Sequence, residues 1–398
     1  MSSLQEIHRD EWGRLLALLV ARFRRLDVAE DGLADAFEAA ARTWPESGPP
    51  DNPAAWLLTT ARRRILDVLR NEAVVARKEP LLVVDARTRE EAQRSMADPG
   101  NTITDERLRL VLLCAHPSLP LDSAVALTLR LVLGVSTEDI ASLFLVPRAT
   151  MSARLTRARR RLAGQSFEVP AADALAPRVQ AVAAVAYLAF TQGYLPGRAP
   201  ELATEGVRLT RLVHHLMPDD PVLTSLLALV LLQHARRDAR TVAGLPVLLP
   251  EQDRELWHRF EIDEALELLR PLIHHPAEPY LLQALIAAEH AVAARPQDTD
   301  WPRIVSRYDE LLELTDSPVV RLNRAVAIAE ADGPLAGLAA LSGVTLPGHR
   351  LPGVRAELLA RAGRMAEAQA AYDKAVALCD NEPERELLRQ LSRRRQPG

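Results

Sequence analysis

At 398 residues, with 48% hydrophobic and 26% charged side chains, the chain has an ordinary globular composition and room for two to four domains of roughly 100–200 residues. Its two cysteines, Cys114 and Cys379, make neither a disulfide framework nor a CxxC pair, which suits a reducing cytosol. The N-terminal residues read as an amphipathic helix, not a signal peptide, and no stretch approaches the ~18 apolar residues of a membrane span.

Ala, Leu and Arg dominate and aromatics make up only 4%, a bias that favours helix almost everywhere and an all-α fold class. The net charge of −4 hides an asymmetry. Residues 1–165 hold 24 Lys/Arg against 22 Asp/Glu, which leaves a balance of −6 for residues 166–398. The basic excess is concentrated in Arg148, Arg154, Arg157, Arg159, Arg160 and Arg161, with no acid between them. Such a cluster in a mildly acidic protein points to one anionic contact surface.

The first predicted helix covers residues 8–26, with Trp12, Leu15, Leu16, Leu19, Val20 and Phe23 at helical spacing. A second runs from about Ala29 to Trp44. The Pro- and Gly-rich stretch 45–53 reads as a loop, and a third helix runs from Pro53 to about Ala76. Its Leu57, Ala61, Ile65 and Val68 form the expected buried face. The opposite face carries Trp56, Thr59, Thr60, Arg63, Asp67 and Arg70. An aromatic among Arg and Thr residues suits single-stranded DNA, where bases stack on a ring and cations neutralise the backbone. The bland alternative is a surface helix with Trp56 tucked inward.

Residues 77–104 are polar and read as a linker, followed by a second helical unit over 105–163. That unit ends in the sharpest local signal of the chain. Ser136 suits an N-cap, and Glu138 and Asp139 suit the first turn of a short helix. Residues 145–147 make a turn, and Arg148 opens another helix. This is the pattern of a helix-turn-helix, whose second helix enters the DNA major groove. At 100° per residue Met151, Leu155, Ala158 and Leu162 share a narrow core face, and Thr150, Arg154, Arg157 and Arg161 form a stripe beside it. Arginines so placed can reach phosphates and read guanine edges. The alternative is a solvated Arg-rich helix.

From residue 167 onward helices alternate with Pro- or Gly-containing turns. The last unit, 352–384, matches a tetratricopeptide repeat at Ala356, Leu359, Ala368, Tyr372 and Ala375. Helix pairs of this kind stack into a solenoid. Asp253 and Glu255 near Trp257, and Asp298 and Asp300 at Trp301, read as helix starts or as a binding surface. Cys114 and His116 lack a second zinc-spaced pair, and no metal or cofactor is expected. His214–His215 and His274–His275 read as packed or exposed. No nucleotide-binding or hydrolase motif occurs, so an enzyme is not expected.

These segments together resemble the ECF (extracytoplasmic-function) sigma factors. AEDGLADAFEAAARTW and NPAAWLLTTARRRILDVLR resemble their domain 2, and VPRATMSARLTRARRRL resembles their domain 4. FEVP, EQDRELW and DTDWPRIVSRYDELL resemble the subgroup with a tetratricopeptide-like extension. The resemblance implies domain 2 over 1–80, a linker over 81–104, domain 4 over 105–165 and a helical extension over 166–398. It places Asp31, Asp35 and Phe37 at the docking surface for core RNA polymerase. Trp56, Arg63, Asp67 and Arg70 would read the −10 element, and Arg148, Ser152, Ala153, Thr156 and Arg157 the −35 element. Arg63 stands where many relatives carry Asn. The implied partners are core RNA polymerase and promoter DNA, with a regulatory protein at the extension, no membrane, and a cytoplasmic location. A helix-turn-helix regulator with a sensor domain and a tetratricopeptide scaffold are the competing readings.

Overall fold

The computed structural model describes residues 4–75, 99–144, 146–162, 165, 167–170, 172–194 and 200–394. Apart from one small hairpin, those residues fold as helices and turns. They form two compact units, residues 1–192 with 211–217, and residues 193–210 with 218–398.

The first unit opens with three helices, α1 (Leu4–Phe23), α2 (Leu26–Ser47) and α3 (Pro53–Val75). Trp12, Leu15, Leu16, Leu19 and Val20 of α1 are buried, as are Ala29, Leu33, Ala36 and Ala40 of α2 and Leu57, Ala61 and Ile65 of α3. Each fully buried Leu or Ile contributes about 1.5–3 kcal/mol of transfer free energy. α2 and α3 approach closely because Gly32 faces Ile65; a Cβ there would lie 2.5 Å from Ile65 Cγ1. Two expectations fail here. Val68 is 43% exposed, because the buried face of α3 ends at Ile65. α2 also runs through Pro45 into the stretch expected to be a loop, and stops at Gly48, whose φ of 74° no L side chain favours and whose N–H bonds Trp44 O at 2.9 Å.

Residues 76–98, most of the expected linker, lie outside the described residues. α4 (Pro99–Cys114) starts inside that stretch, six residues before the expected domain start. α5 (Leu121–Leu131), α6 (Thr137–Leu143) and α7 (Arg148–Leu162) follow. This second group packs directly on the first. Gly13 of α1 lies against the turn after α5, where a Cβ would come 2.0 Å from Val132 O. Gly134, at φ 71°, passes under Trp12 and His8. Next comes α8 (Ala172–Tyr194), whose Arg178 donates to Leu112 O at 3.0 Å. Contrary to expectation, its window Ala174–Thr191 is long and apolar enough to cross a membrane by length and composition. Of that window 39% is buried, including Val179, Val182, Ala183, Val185, Ala186, Ala189 and Phe190.

After α9 (Pro200–Leu216), the second unit runs α10 (Pro221–His234), α11 (Arg259–Leu269), α12 (Pro279–Val292), α13 (Trp301–Leu314), α14 (Pro318–Asp332), α15 (Pro334–Ala340), α16 (Arg350–Arg361), α17 (Met365–Leu378) and α18 (Glu382–Arg394). Successive helices pack on one another, as stacking of half-apolar helix pairs requires. Ala356, Leu359, Ala368, Tyr372 and Ala375 are all buried, and Tyr372 donates to Glu357 at 2.8 Å. The helical pattern missed β1 (Thr241–Val242) and β2 (Leu245–Pro246). They are joined by Ala243 and Gly244, both at positive φ, the backbone of a tight hairpin turn.

Candidate nucleic-acid interface

The helix-turn-helix is built by local signals. Ser136 Oγ accepts from Asp139 N at 3.0 Å and caps α6. Ile140 and Ala141 bury its inner face, and Pro147 stands immediately before α7. On α7, Met151, Leu155, Ala158 and Leu162 are all buried. Arg148, Thr150, Ser152, Ala153, Thr156, Arg157 and Arg161 are exposed together. Arg154 is half-buried, its guanidinium 5.6 Å from the Phe144 ring centroid, so it is partly anchored on the preceding helix. Thr156 Oγ1 donates to Ser152 O at 2.9 Å.

The structure adds a feature that helical periodicity could not show. A concavity of about 390 Å³ lies between Leu119, Pro120 and Ser123 at the start of α5 and Arg154, Arg157, Arg160 and Arg161 of α7. Pro120, the α5 N-cap residue, offers no side-chain cap. A helix N-terminus facing four guanidiniums is a place where a phosphate is stabilised by both dipole and charge.

On α3, Trp56, Thr60, Arg63, Asp67 and Arg70 fall within about 80° around the helix axis. Asn52 caps the helix by accepting from Ala55 N at 3.0 Å. Thr59, Arg63, Asp67 and Arg70 are exposed and Thr60 is half-buried. Asp67 and Arg70 pair at 3.3 Å. Trp56 is half-buried, edge-on to Trp44 with centroids 5.5 Å apart, so one part of its ring is held and another faces solvent.

Asp31 and Asp35 are exposed one turn apart on α2. Asp31 is held above the ordinary carboxylate range by partial burial first and by the nearby charge of Glu30 second. Phe37 corrects an expectation. It is only 7% exposed and packs on Trp12 and His8, with centroids 5.8 and 4.7 Å away. It is a core residue of the helical unit and presents no docking surface in this arrangement. Cys114 is buried, its thiol pushed far up by burial and then by the charge of Glu30. His116 bonds Ser118 Oγ at 2.7 Å.

Sequence reasoning also missed Glu30. This α2 carboxylate is 4% exposed. It accepts from Arg130 Nε of α5 at 2.8 Å and pairs with Arg159 Nη2 of α7 at 2.6 Å. Arg130 in turn lies 5.1 Å from the Trp12 ring centroid. An arginine of the helix-turn-helix is thus tied to the first helical group.

Residues 10–74 match the family Sigma-70 region 2, and residues 109–162 match Sigma-70, region 4. Over 150 residues the chain is 30% identical to the ECF RNA polymerase sigma-E factor of Escherichia coli (strain K12), covering 36% of this chain and 76% of that protein. The chain belongs to the ECF sigma factors. The sigma-E factor of Salmonella typhimurium (strain LT2) is 29% identical over the same length, again covering 36% of this chain and 76% of the relative. Beyond the sigma regions, residues 178–272 match a family of unknown function (DUF6596). An uncharacterized protein of Rhizobium meliloti (strain 1021) is 42% identical over 389 residues, 94% of this chain and 91% of its own length. No solved structure matches. As an ECF sigma factor with a helical extension, this protein directs transcription initiation, and its helix-turn-helix belongs to sigma region 4.

Proposed function

We propose that the exposed faces of α3 and α7 are the promoter-reading surfaces. Trp56, Thr59, Thr60, Arg63, Asp67 and Arg70 capture the −10 element, and Arg148, Thr150, Ser152, Ala153, Arg154, Thr156, Arg157 and Arg161 read the −35 duplex. Core RNA polymerase docks on Asp31 and Asp35. The observation that carries this reading is the contiguous exposed polar and basic face of α7 over a buried core face, with the arginine-lined concavity beside it. Domain 2 spans about 1–80 and domain 4 about 105–165, with residues 166–398 as an extension that modulates activity through a regulatory protein or ligand. Acting on polymerase places the protein in the cytoplasm, as a DNA-binding initiation factor and not an enzyme.

The closed packing of the two DNA-reading modules has a consequence for this function. Elements at −35 and −10 lie roughly 25 base pairs apart, about 85 Å along the duplex at 3.4 Å per step. A compact body of ~190 residues has a diameter of only about 40 Å. The two modules therefore part when both elements are read together, and the Glu30 contacts break. The test is transcription from a promoter with both elements. Arg157→Ala should weaken −35 duplex binding and relax the base preference at one position, and Trp56→Ala should slow strand opening with duplex binding retained. Unchanged transcription in both variants would refute the assignment.

A further inference from the structure

Within the second unit, the segments around Trp257 and Trp301 converge on a cavity of about 340 Å³. Asp253 caps the turn Arg254–Leu256 by accepting from Glu255 N at 2.9 Å, which fixes where Arg254 points. Arg254 Nη1 donates to His290 O at 2.9 Å, in the last turn of α12, and to Ala293 O at 2.7 Å, just past its end. Its guanidinium lies 4.4 Å from the centroid of the buried Trp257 ring. Its Nε is buried without an acceptor. Among the described residues no carboxylate is in ion-pair range of it. Asp298, the acid that acts on it through space, is already bound by Arg295 at 3.0 and 2.9 Å. Burial first, then the positive charges of Arg259 and Arg236, hold Arg254 below the ordinary arginine range. A cation so placed gains from any anion brought beside it.

The remaining walls are mostly apolar. Trp301, Ile304, Tyr308 and Val326 line the cavity. His290 lies edge-on to Trp301, with centroids 5.2 Å apart. Its imidazole is pushed down to about 4 by burial and then by Arg236 and Arg254, so it is neutral at physiological pH. Glu330 also lines the cavity and is paired with Arg361. That carboxylate disfavours a second anionic group on the occupant. Cavities that hold small molecules run from about 300 to 1,000 Å³ and combine apolar walls with a few polar groups. This one lies at the small end of that range.

We propose that the cavity binds a small organic acid, with its single carboxylate on Arg254 and a planar or branched apolar body against Trp301 and Tyr308. The site stands on its own geometry and does not depend on how the extension acts in transcription. A bland role for Arg254, as a cap on the carbonyls of α12, predicts a stability effect and no ligand. The two are separable by experiment.

The full-length protein is titrated calorimetrically with phenylacetate, indole-3-acetate and cyclohexanecarboxylate, and with neutral phenylacetamide. At least one acid is expected to saturate, with the amide about tenfold weaker or worse, because the charge-assisted hydrogen bond is lost. Arg254→Gln should weaken the acid by about tenfold or more. Val326→Trp, which fills the cavity from a half-buried wall position, should abolish binding while the melting temperature stays near that of the parent. The proposal is overturned if no acid binds below about 5 mM, near 3 kcal/mol of affinity, if the amide binds as tightly as the acid, or if both variants bind like the parent. Tighter binding of a hexapeptide with a free carboxy terminus than of every small acid would also overturn it.

Discussion

Removing the charge of Glu30 should loosen the contact between sigma regions 2 and 4. In the folded unit its carboxylate sits 2.8 Å from Arg130 Nε and 2.6 Å from Arg159 Nη2, with side-chain exposures of 5% for Glu30, 19% for Arg130 and 26% for Arg159. Glu30→Gln keeps the shape but strands two guanidiniums that have little water to replace the lost partner. Breaking a fully buried pair costs about 3–5 kcal/mol. Allowing for the exposure of the arginines, about 2–3 kcal/mol is expected here. That shifts the open–closed equilibrium by about 30- to 150-fold. Both native thiols are buried, so dyes can be attached to cysteines introduced at the exposed Thr59 and Thr150. Single-molecule energy transfer should then show a larger open population in Glu30→Gln. Arg159→Gln added on top should cost less than it does alone, because its partner is already gone. An unchanged transfer distribution, or strictly additive effects, would refute the reasoning.

Arg157→Ala should weaken −35 duplex binding by about 1–3 kcal/mol and relax the base preference at one position, whereas Arg161→Ala should lower the salt slope by about one without changing sequence preference; competition and salt titrations by fluorescence anisotropy distinguish them. Trp56→Ala should slow open-complex formation by a factor matching about 1–3 kcal/mol of lost stacking, with Trp56→Phe largely intact, as read by permanganate footprinting. Gly13→Ala should destabilise the first unit by about 1–3 kcal/mol in chemical denaturation, because its methyl meets the Val132 carbonyl. His290 has a folded value near 4 against 6.5 unfolded. The unfolded chain therefore binds the extra proton, and stability falls as pH drops through 6.5 and levels off near 4. The loss is about 3 kcal/mol at most, and His290→Gln should flatten that part of the pH profile of unfolding.

The helical pattern and the exposed basic stripe of α7 were legible because both depend on local spacing. Met151, Leu155, Ala158 and Leu162 must share a face whatever surrounds them, and all four are buried. Ser136 signals a cap because its bond to Asp139 N closes within four residues. Phe37 was misplaced because the family's surface pattern does not reveal that Trp12 and His8 cover it here. Glu30 looked like one of several acids on α2. Its burial depends on Arg130 and Arg159, 100 and 129 residues away, and no periodicity carries that information. The arginine-lined concavity required the start of α5 to meet α7 in space. The hairpin at Ala243 and Gly244 escaped because two-residue strands give no alternating pattern to read.

The most direct test is transcription in vitro with purified core RNA polymerase and this protein on fragmented genomic DNA, followed by sequencing of the RNA 5′ ends. Discrete start sites sharing −35 and −10 elements are expected. They should appear with the full chain or, where the extension restrains the sigma modules, with residues 1–165. No start site from either, with duplex DNA still bound, would contradict the account.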